Sequence, residues 1–378
     1  MEKNQPIRNY AIDLLRGIIM VLMVLDHTRD FFFGSKPRAT DLTQTNEILF
    51  FTRWITHFCA PAFILLAGIS AVLYMKKYSL KQAQHFLLTR GLMLAFLEIV
   101  VIRLMWSPYD ITYQFTMLQV IWILGWSMVF SSFMISLDSK YLFAIGGSII
   151  ALHGLITPAM GDSWGSFSWL FYVLFAKKML EPIPGHQVLV SYSIIGWFAI
   201  MLIGIAIGKH YEPTKEFAKK LIFGGLTTSV LFVVLRYINI YGDPIAWAPQ
   251  KNFSFTVISF LNLNKYPPSL FFILMTVGPV LITLGYLQKY FLGKTPNQFA
   301  KILILFGQVP LFFYVSHMLL LQYGSNFINW WNTNIVTNVR WPLYDTYIVW
   351  IVTLFALYYP CKWYLTKKKQ HPKALSYF

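Results

Sequence analysis

AIDLLRGIIMVLMVLDHTRDFFF, residues Ala11 to Phe33, is long enough for a membrane helix, yet it carries Asp13, Arg16, Asp26, His27 and Asp30. A hydrocarbon core about 30 Å thick takes about 20 residues of helix at about 1.5 Å each. Every ionisable group in such a run is costly unless it meets a partner or a polar cavity. On a helical wheel, Asp13, Arg16, His27 and Asp30 share one stripe, with Asp26 at its edge and Met20 and Met23 inside it. That stripe is expected to face a bundle interior, with the two methionines lining an apolar passage.

The rest of the chain has the same character. Of 378 residues 57% are hydrophobic and 12% charged, about half the charge of a soluble domain, so no segment is polar enough to stand apart in water. About ten apolar runs approach spanning length: Ala11 to Phe33, Leu49 to Tyr74, Phe86 to Trp106, Phe115 to Ile135, Leu142 to Met160, Leu189 to Gly208, Leu221 to Ile238, Ser269 to Tyr290, Ile302 to Gln322 and Tyr347 to Leu365. Phe167 to Phe175 and Phe253 to Leu263 are shorter and read as re-entrant or interfacial, and Phe327 to Val336 is open between that and an extra span. The predicted fold is all-α, a polytopic membrane helix bundle of about ten transmembrane helices in a single domain over residues 1–378.

Lysines and arginines fall on alternate connections, as the positive-inside rule requires. Lys3 and Arg8, Lys76, Lys77 and Lys81, Lys209 to Lys220, Lys289 to Lys301, and a basic tail over residues 366–378 are expected to be cytoplasmic, with both termini on that side. Trp106, Trp164, Trp169, Trp247, Trp330, Trp331 and Trp341 crowd the other face. The formal charge of +16 is therefore assigned to topology and membrane lipid, with no nucleic-acid partner expected. Cys59 and Cys361 read as small hydrophobes. The first run lacks a small-residue cleavage site and is expected to be retained.

Counted along the helices, several ionisable residues fall at one level, the outer half of the membrane: His27, His57, Glu98, Arg103 and His317, with Arg53 a turn above His57 and Lys265 just before the eighth run. Such clustering points to a polar chamber. A histidine beside a carboxylate suits general base work, which makes His27 with Asp26 or Asp30 the first choice and His57 the second. Arg53, Glu98, Arg103, His317 and Lys265 are candidates to bind substrate, and Asp13, Arg16, Lys76 and Lys77 to bind a phosphorylated co-substrate near the cytoplasmic edge. Structural readings stand beside these: an i, i+3 ion pair for Asp13 and Arg16, a buried ion-pair network for Glu98 and Arg103, and an interhelical hydrogen bond for His317. No metal-ligand spacing, Walker sequence or dinucleotide fingerprint occurs, so no metal is expected. A proton-coupled transporter of a small polar solute needs similar groups and is the alternative. A non-catalytic membrane sensor is a third.

The run Arg8 to Gly17, followed by Met20, Met23 and Asp26-His27-Thr28-Arg29-Asp30-Phe31-Phe32, resembles the bacterial DUF1624 proteins, grouped with the catalytic region of heparan-α-glucosaminide N-acetyltransferase. Thr56 to Phe63, Leu66 to Ala71, Lys265-Tyr266-Pro267-Pro268-Ser269-Leu270 and Gly307 to Tyr314 extend the likeness along nearly the whole chain. The resemblance implies transfer of an acyl group, usually acetyl, from cytoplasmic acetyl-CoA to a sugar or glycan acceptor across a bacterial cytoplasmic membrane. A homodimer is compatible with it. One departure matters: in the lysosomal branch an asparagine matches His27, and the histidine taken as catalytic lies in the connection before the second helix. Here Gly34 to Glu47 contains no histidine, so the role of base rests on the chemistry and depth of His27, then of His57.

Overall fold

The computed structural model describes residues 10–33, 37–107, 109–156, 158–335 and 342–371. Lys3, Arg8, Val336, Trp341 and the tail beyond His371 lie outside them. In chain order the elements are α1 (Ala11–Thr28), α2 (Glu47–Thr56), α3 (Cys59–Lys77), α4 (Leu80–Trp106), β1 (Phe115–Leu118), α5 (Val120–Met134), α6 (Ser139–Leu152), α7 (Ser168–Phe175), β2 (Lys178–Ile183), β3 (His186–Val190), α8 (Ile194–Lys209), α9 (Lys215–Ile238), α10 (Phe253–Leu261), α11 (Leu270–Phe291), α12 (Gln298–Gln308), α13 (Pro310–Ile335) and α14 (Leu343–Gln370).

Prolines cut two of the expected runs. Pro61 has no N–H for the His57 carbonyl four residues back, and the second run is interrupted at His57 and Phe58, between α2 and α3, while Glu47–Lys77 as a whole remains one span. Pro310 likewise has none for the Phe306 carbonyl, and α12 meets α13 at 90° where a straight ninth span was expected. After Thr28 the backbone widens into a π turn, Arg29–Phe33, which breaks the register of the helical wheel. His27 is buried while Asp30 is exposed, so Asp30 leaves the expected stripe. Met20 and Met23 are packed into the core.

Other boundaries also differ from the sequence reading. Phe115 to Ile135 and Leu189 to Gly208 each begin as strand, and the helix in Leu142 to Met160 stops at Leu152. Through Ile335, the open stretch from Phe327 is a continuation of α13 and not a separate segment. The three strands form one small sheet in the order β1-β3-β2, with β1 parallel and β2 antiparallel to β3. It is an addition to the otherwise helical architecture.

Five helices are long and apolar enough to cross a membrane: Glu47–Lys77, Leu80–Trp106, Lys215–Ile238, Leu270–Phe291 and Leu343–Gln370, or six with the bent α12–α13 pair. Helices α5 and α8 are apolar but shorter. Helix α1 has 18 residues but three charged side chains, Asp13, Arg16 and Asp26. The spans show their apolar side chains outward. On α9, Phe223, Val230 and Tyr237 are exposed, and on α14, Phe355 and Tyr359 are. Water would penalise such faces and lipid would not, so this is an integral membrane protein.

The chain gathers into two compact units, each drawn from segments distant in sequence. The first comprises Met1–Cys59, Glu212–Thr227 and Gly278–Phe378; the second comprises Ala60–Tyr211 and Thr228–Val277. In the first, α1 lies on α12 through two glycines. A Cβ on Gly17 would stand 1.8 Å from the Leu303 carbonyl oxygen, and one on Gly307 would stand 1.9 Å from that of Asp13. Leu14, Ala300 and Ile304 fill the seam between them. Trp350 of α14 donates its indole N–H to the Val21 carbonyl (2.8 Å), fixing α14 on the same helix. In the second unit α4 packs on α5 and α6 on α8.

Candidate functional site

Two histidines from opposite ends of the sequence meet inside the first unit. His27 lies in the last turn of α1 and His317 at the start of the third turn of α13, and both are buried. The Nδ1 of His27 is 2.7 Å from the Nε2 of His317, and the ring planes are parallel to within 2°. Tyr314, one turn before His317, stands edge-on to both rings, with centroids 5.9 and 5.4 Å away.

The backbone sets the tautomers. His317 Nδ1 lies 2.9 Å from the Phe313 carbonyl oxygen, which can only accept, so this nitrogen carries a proton. In neutral His317 the Nε2 is then the acceptor, and His27 Nδ1 must donate to it. Neutral His27 therefore holds its lone pair on Nε2. This is the arrangement of a base whose other nitrogen is oriented by a hydrogen-bonded partner, with an imidazole where the sequence reading placed a carboxylate.

The carboxylates are engaged by arginines. Asp26 bonds the Arg53 guanidinium through Oδ2 and that of Arg29 through Oδ1 at 3.2 Å. Arg29 also bonds Asp30 at 2.5 Å. Arg53 lies 3.4 Å from the Thr56 hydroxyl as well. Two arginines and two aspartates neutralise one another in a half-buried network that ties the end of α1 to α2. His57 is buried at the α2–α3 junction, with its backbone N–H on the Trp54 carbonyl at 3.0 Å.

Asp13 and Arg16 form the i, i+3 pair, 3.1 Å apart. Arg16 also donates to the Gly307 carbonyl at 2.9 Å, and Gln308 donates to Asp13 at 3.3 Å. These contacts brace the glycine seam, so the structural reading accounts for both side chains.

Glu98, Arg103, Lys265, Lys76 and Lys77 belong to the second unit. Glu98 and Arg103 have separate partners, not each other. Fully buried Glu98 accepts the Trp122 N–H at 3.0 Å and anchors the amino end of α5, where backbone amides have no helical partner. Arg103 bonds Asp110 at 3.1 Å and stacks 3.7 Å from the Tyr113 ring centroid. Lys76 donates to the Tyr211 carbonyl at 3.1 Å, and Lys77 is exposed.

Asp110 also receives the Phe115 and Gln114 amides at 2.8 and 2.9 Å, where the chain enters β1. The Phe115 amide, then that of Gln114 and the Arg103 guanidinium, hold its carboxyl below the usual carboxylate range. A lowered value means that the stabilisation is complete above the ordinary carboxylate pKa, about 4, and is lost as pH falls through the lowered one. Asp110→Asn is expected to reduce the melting temperature near neutral pH, and the gap from wild type should narrow once the pH falls below the ordinary carboxylate pKa and close below the lowered one. A gap that stays the same across that range would show that the charge is not its cause.

The site thus sits in a polytopic helical membrane protein whose first unit encloses a tautomer-defined histidine pair. The sequence profile of the heparan-alpha-glucosaminide N-acetyltransferase catalytic family matches residues 8–242. The chain belongs to that family, which is one of membrane acetyltransferases using an acetyl-CoA-type co-substrate. No curated protein matches it significantly. The profile covers His27 but ends before His317. The sequence singled out both residues by depth. Their pairing, and the Phe313 carbonyl behind it, had no local signal.

Proposed function

We propose that this protein is an acyl-CoA-dependent acetyltransferase of the cytoplasmic membrane that passes an acetyl group to a sugar or glycan acceptor on the extracytoplasmic side. His27 is the general base and His317 its positioning residue. The observation that carries this reading is the 2.7 Å His27–His317 contact, whose direction follows from the Phe313 carbonyl.

The chemistry follows from the tautomers. An acceptor hydroxyl or neutral amine gives its proton to His27 Nε2 as its oxygen or nitrogen bonds the thioester carbonyl carbon. The carbon–sulfur bond then breaks, and the departing sulfur takes the proton back. While His27 is protonated, the hydrogen bond from its Nδ1 to neutral His317 becomes charge-assisted and stronger. The bond therefore tightens as charge develops, which is the property a catalytic contact needs.

The test is purified protein in detergent given acetyl-labelled CoA and a panel of amino sugars and neutral glycans. Labelled acceptor and free thiol should appear in equal amounts. CoA left intact with every acceptor, alongside solute uptake by the protein in sealed vesicles, would instead establish the transporter.

A further inference from the structure

The second unit holds a pair of lysines, Lys265 buried and Lys177 exposed, that the proposed reaction does not use. Lys265 is only 7% exposed, and its ammonium lies 5.7 and 5.1 Å from the ring centroids of Tyr192 and Tyr266. Lys177 lies 5.5 Å from the centroid of the same Tyr266 ring. Among the described residues, no ion pair includes either lysine. The neighbouring acid, Asp243, is taken up by the Asn264 amide at 2.9 Å, the Ser269 hydroxyl at 2.6 Å and the Ile245 amide at 3.1 Å. A buried ammonium such as that of Lys265 is costly without a counter-charge, and a bound anion, which exposed Lys177 would also attract, removes that cost.

The surrounding backbone is suited to an anion. Tyr192 leads directly into α8, a helix of 16 residues, whose N-cap Ser193 makes no side-chain capping bond. The Ser193 hydroxyl is fully buried and has no hydrogen-bond partner. The first amides of α8 lack helical partners and sit at the positive end of its dipole. His153 Nε2, also buried and unpartnered, lies 3.5 Å from where a Cβ on Gly196, in that same first turn, would stand.

We propose that this cluster is a binding site for an oxyanion: a carboxylate, or a sulfate or phosphate group. Lys265 and Lys177 supply charge, the Ser193 hydroxyl and the first amides of α8 supply directed donors, and the two tyrosines form walls. The site is independent of the acetyl-transfer reading, since its occupancy is measured without turnover. A soluble ligand and a lipid headgroup present the same chemistry, and the test separates them.

Full-length protein in neutral detergent is titrated with sulfate, inorganic phosphate and glucuronate against chloride at constant ionic strength, followed by thermal unfolding and calorimetry. At least one oxyanion is expected to stabilise saturably beyond chloride. Lys265→Met should weaken its binding about tenfold or more, and Lys177→Met less. Ser193→Ala removes only a hydroxyl from the start of α8, and it keeps the test decisive should Lys265→Met not fold; a several-fold loss is expected. Stabilisation by phosphatidylglycerol over phosphatidylcholine nanodiscs, with the same dependence on these residues and no response to soluble anions, would identify the ligand as a lipid phosphate. If neither soluble oxyanions nor anionic lipid exceed their controls, or if the variants bind as wild type does, the proposal fails.

Discussion

His27→Ala is expected to lower acetyl transfer by about 10²–10⁴-fold, the range a positioned general base supplies, while CoA still binds. His317→Ala should give a smaller loss carried mainly by kcat, because His27 keeps its Nε2 but loses the partner that fixes its tautomer and supports its charge. A purely structural role for His317 would leave the pH profile unchanged. The positioning role requires the acid limb of kcat/KM to change in His317→Ala and to recover in part with His317→Asn, whose side-chain oxygen can accept the Nδ1 proton. Near wild-type turnover in His27→Ala would remove His27 from the reaction and make His57 the next residue to test.

The glycine seam carries the largest expected effect on folding. Gly17→Val and Gly307→Val would each place a side chain where a Cβ already stands 1.8 or 1.9 Å from a backbone carbonyl oxygen. A flexible neighbour can rotate away from such an overlap, but a helix backbone cannot, so α1 and α12 would have to separate. Separation would also pull Arg16 from the Gly307 carbonyl and Gln308 from Asp13. The cost exceeds the roughly 1–3 kcal/mol of ordinary overpacking, and neither variant should yield monodisperse protein. Gly147→Ala is the control, since a Cβ there meets nothing within 4 Å. Stable, monodisperse Gly17→Val would mean that the two helices do not approach this closely.

Hydropathy made the membrane class, the helical architecture and the costly position of His27 readable from residues alone, because apolar length and a buried imidazole are local properties. Charge spacing likewise disclosed the Asp13–Arg16 pair, one turn apart on a single helix. The prolines Pro61 and Pro310 are plain in the sequence, but hydropathy alone places both inside longer apolar runs. Whether a proline kinks a helix or ends it depends on what receives the orphaned carbonyl. Partnership was a matter of folding. Asp26 immediately precedes His27 in sequence yet turns to Arg53 and Arg29, while His27 meets a ring 290 positions away. Glu98 and Arg103 stand five residues apart but serve different helix and strand ends. A side chain's partner is set by where packed backbones bring donors and acceptors within about 3 Å, and only the folded chain specifies that distance.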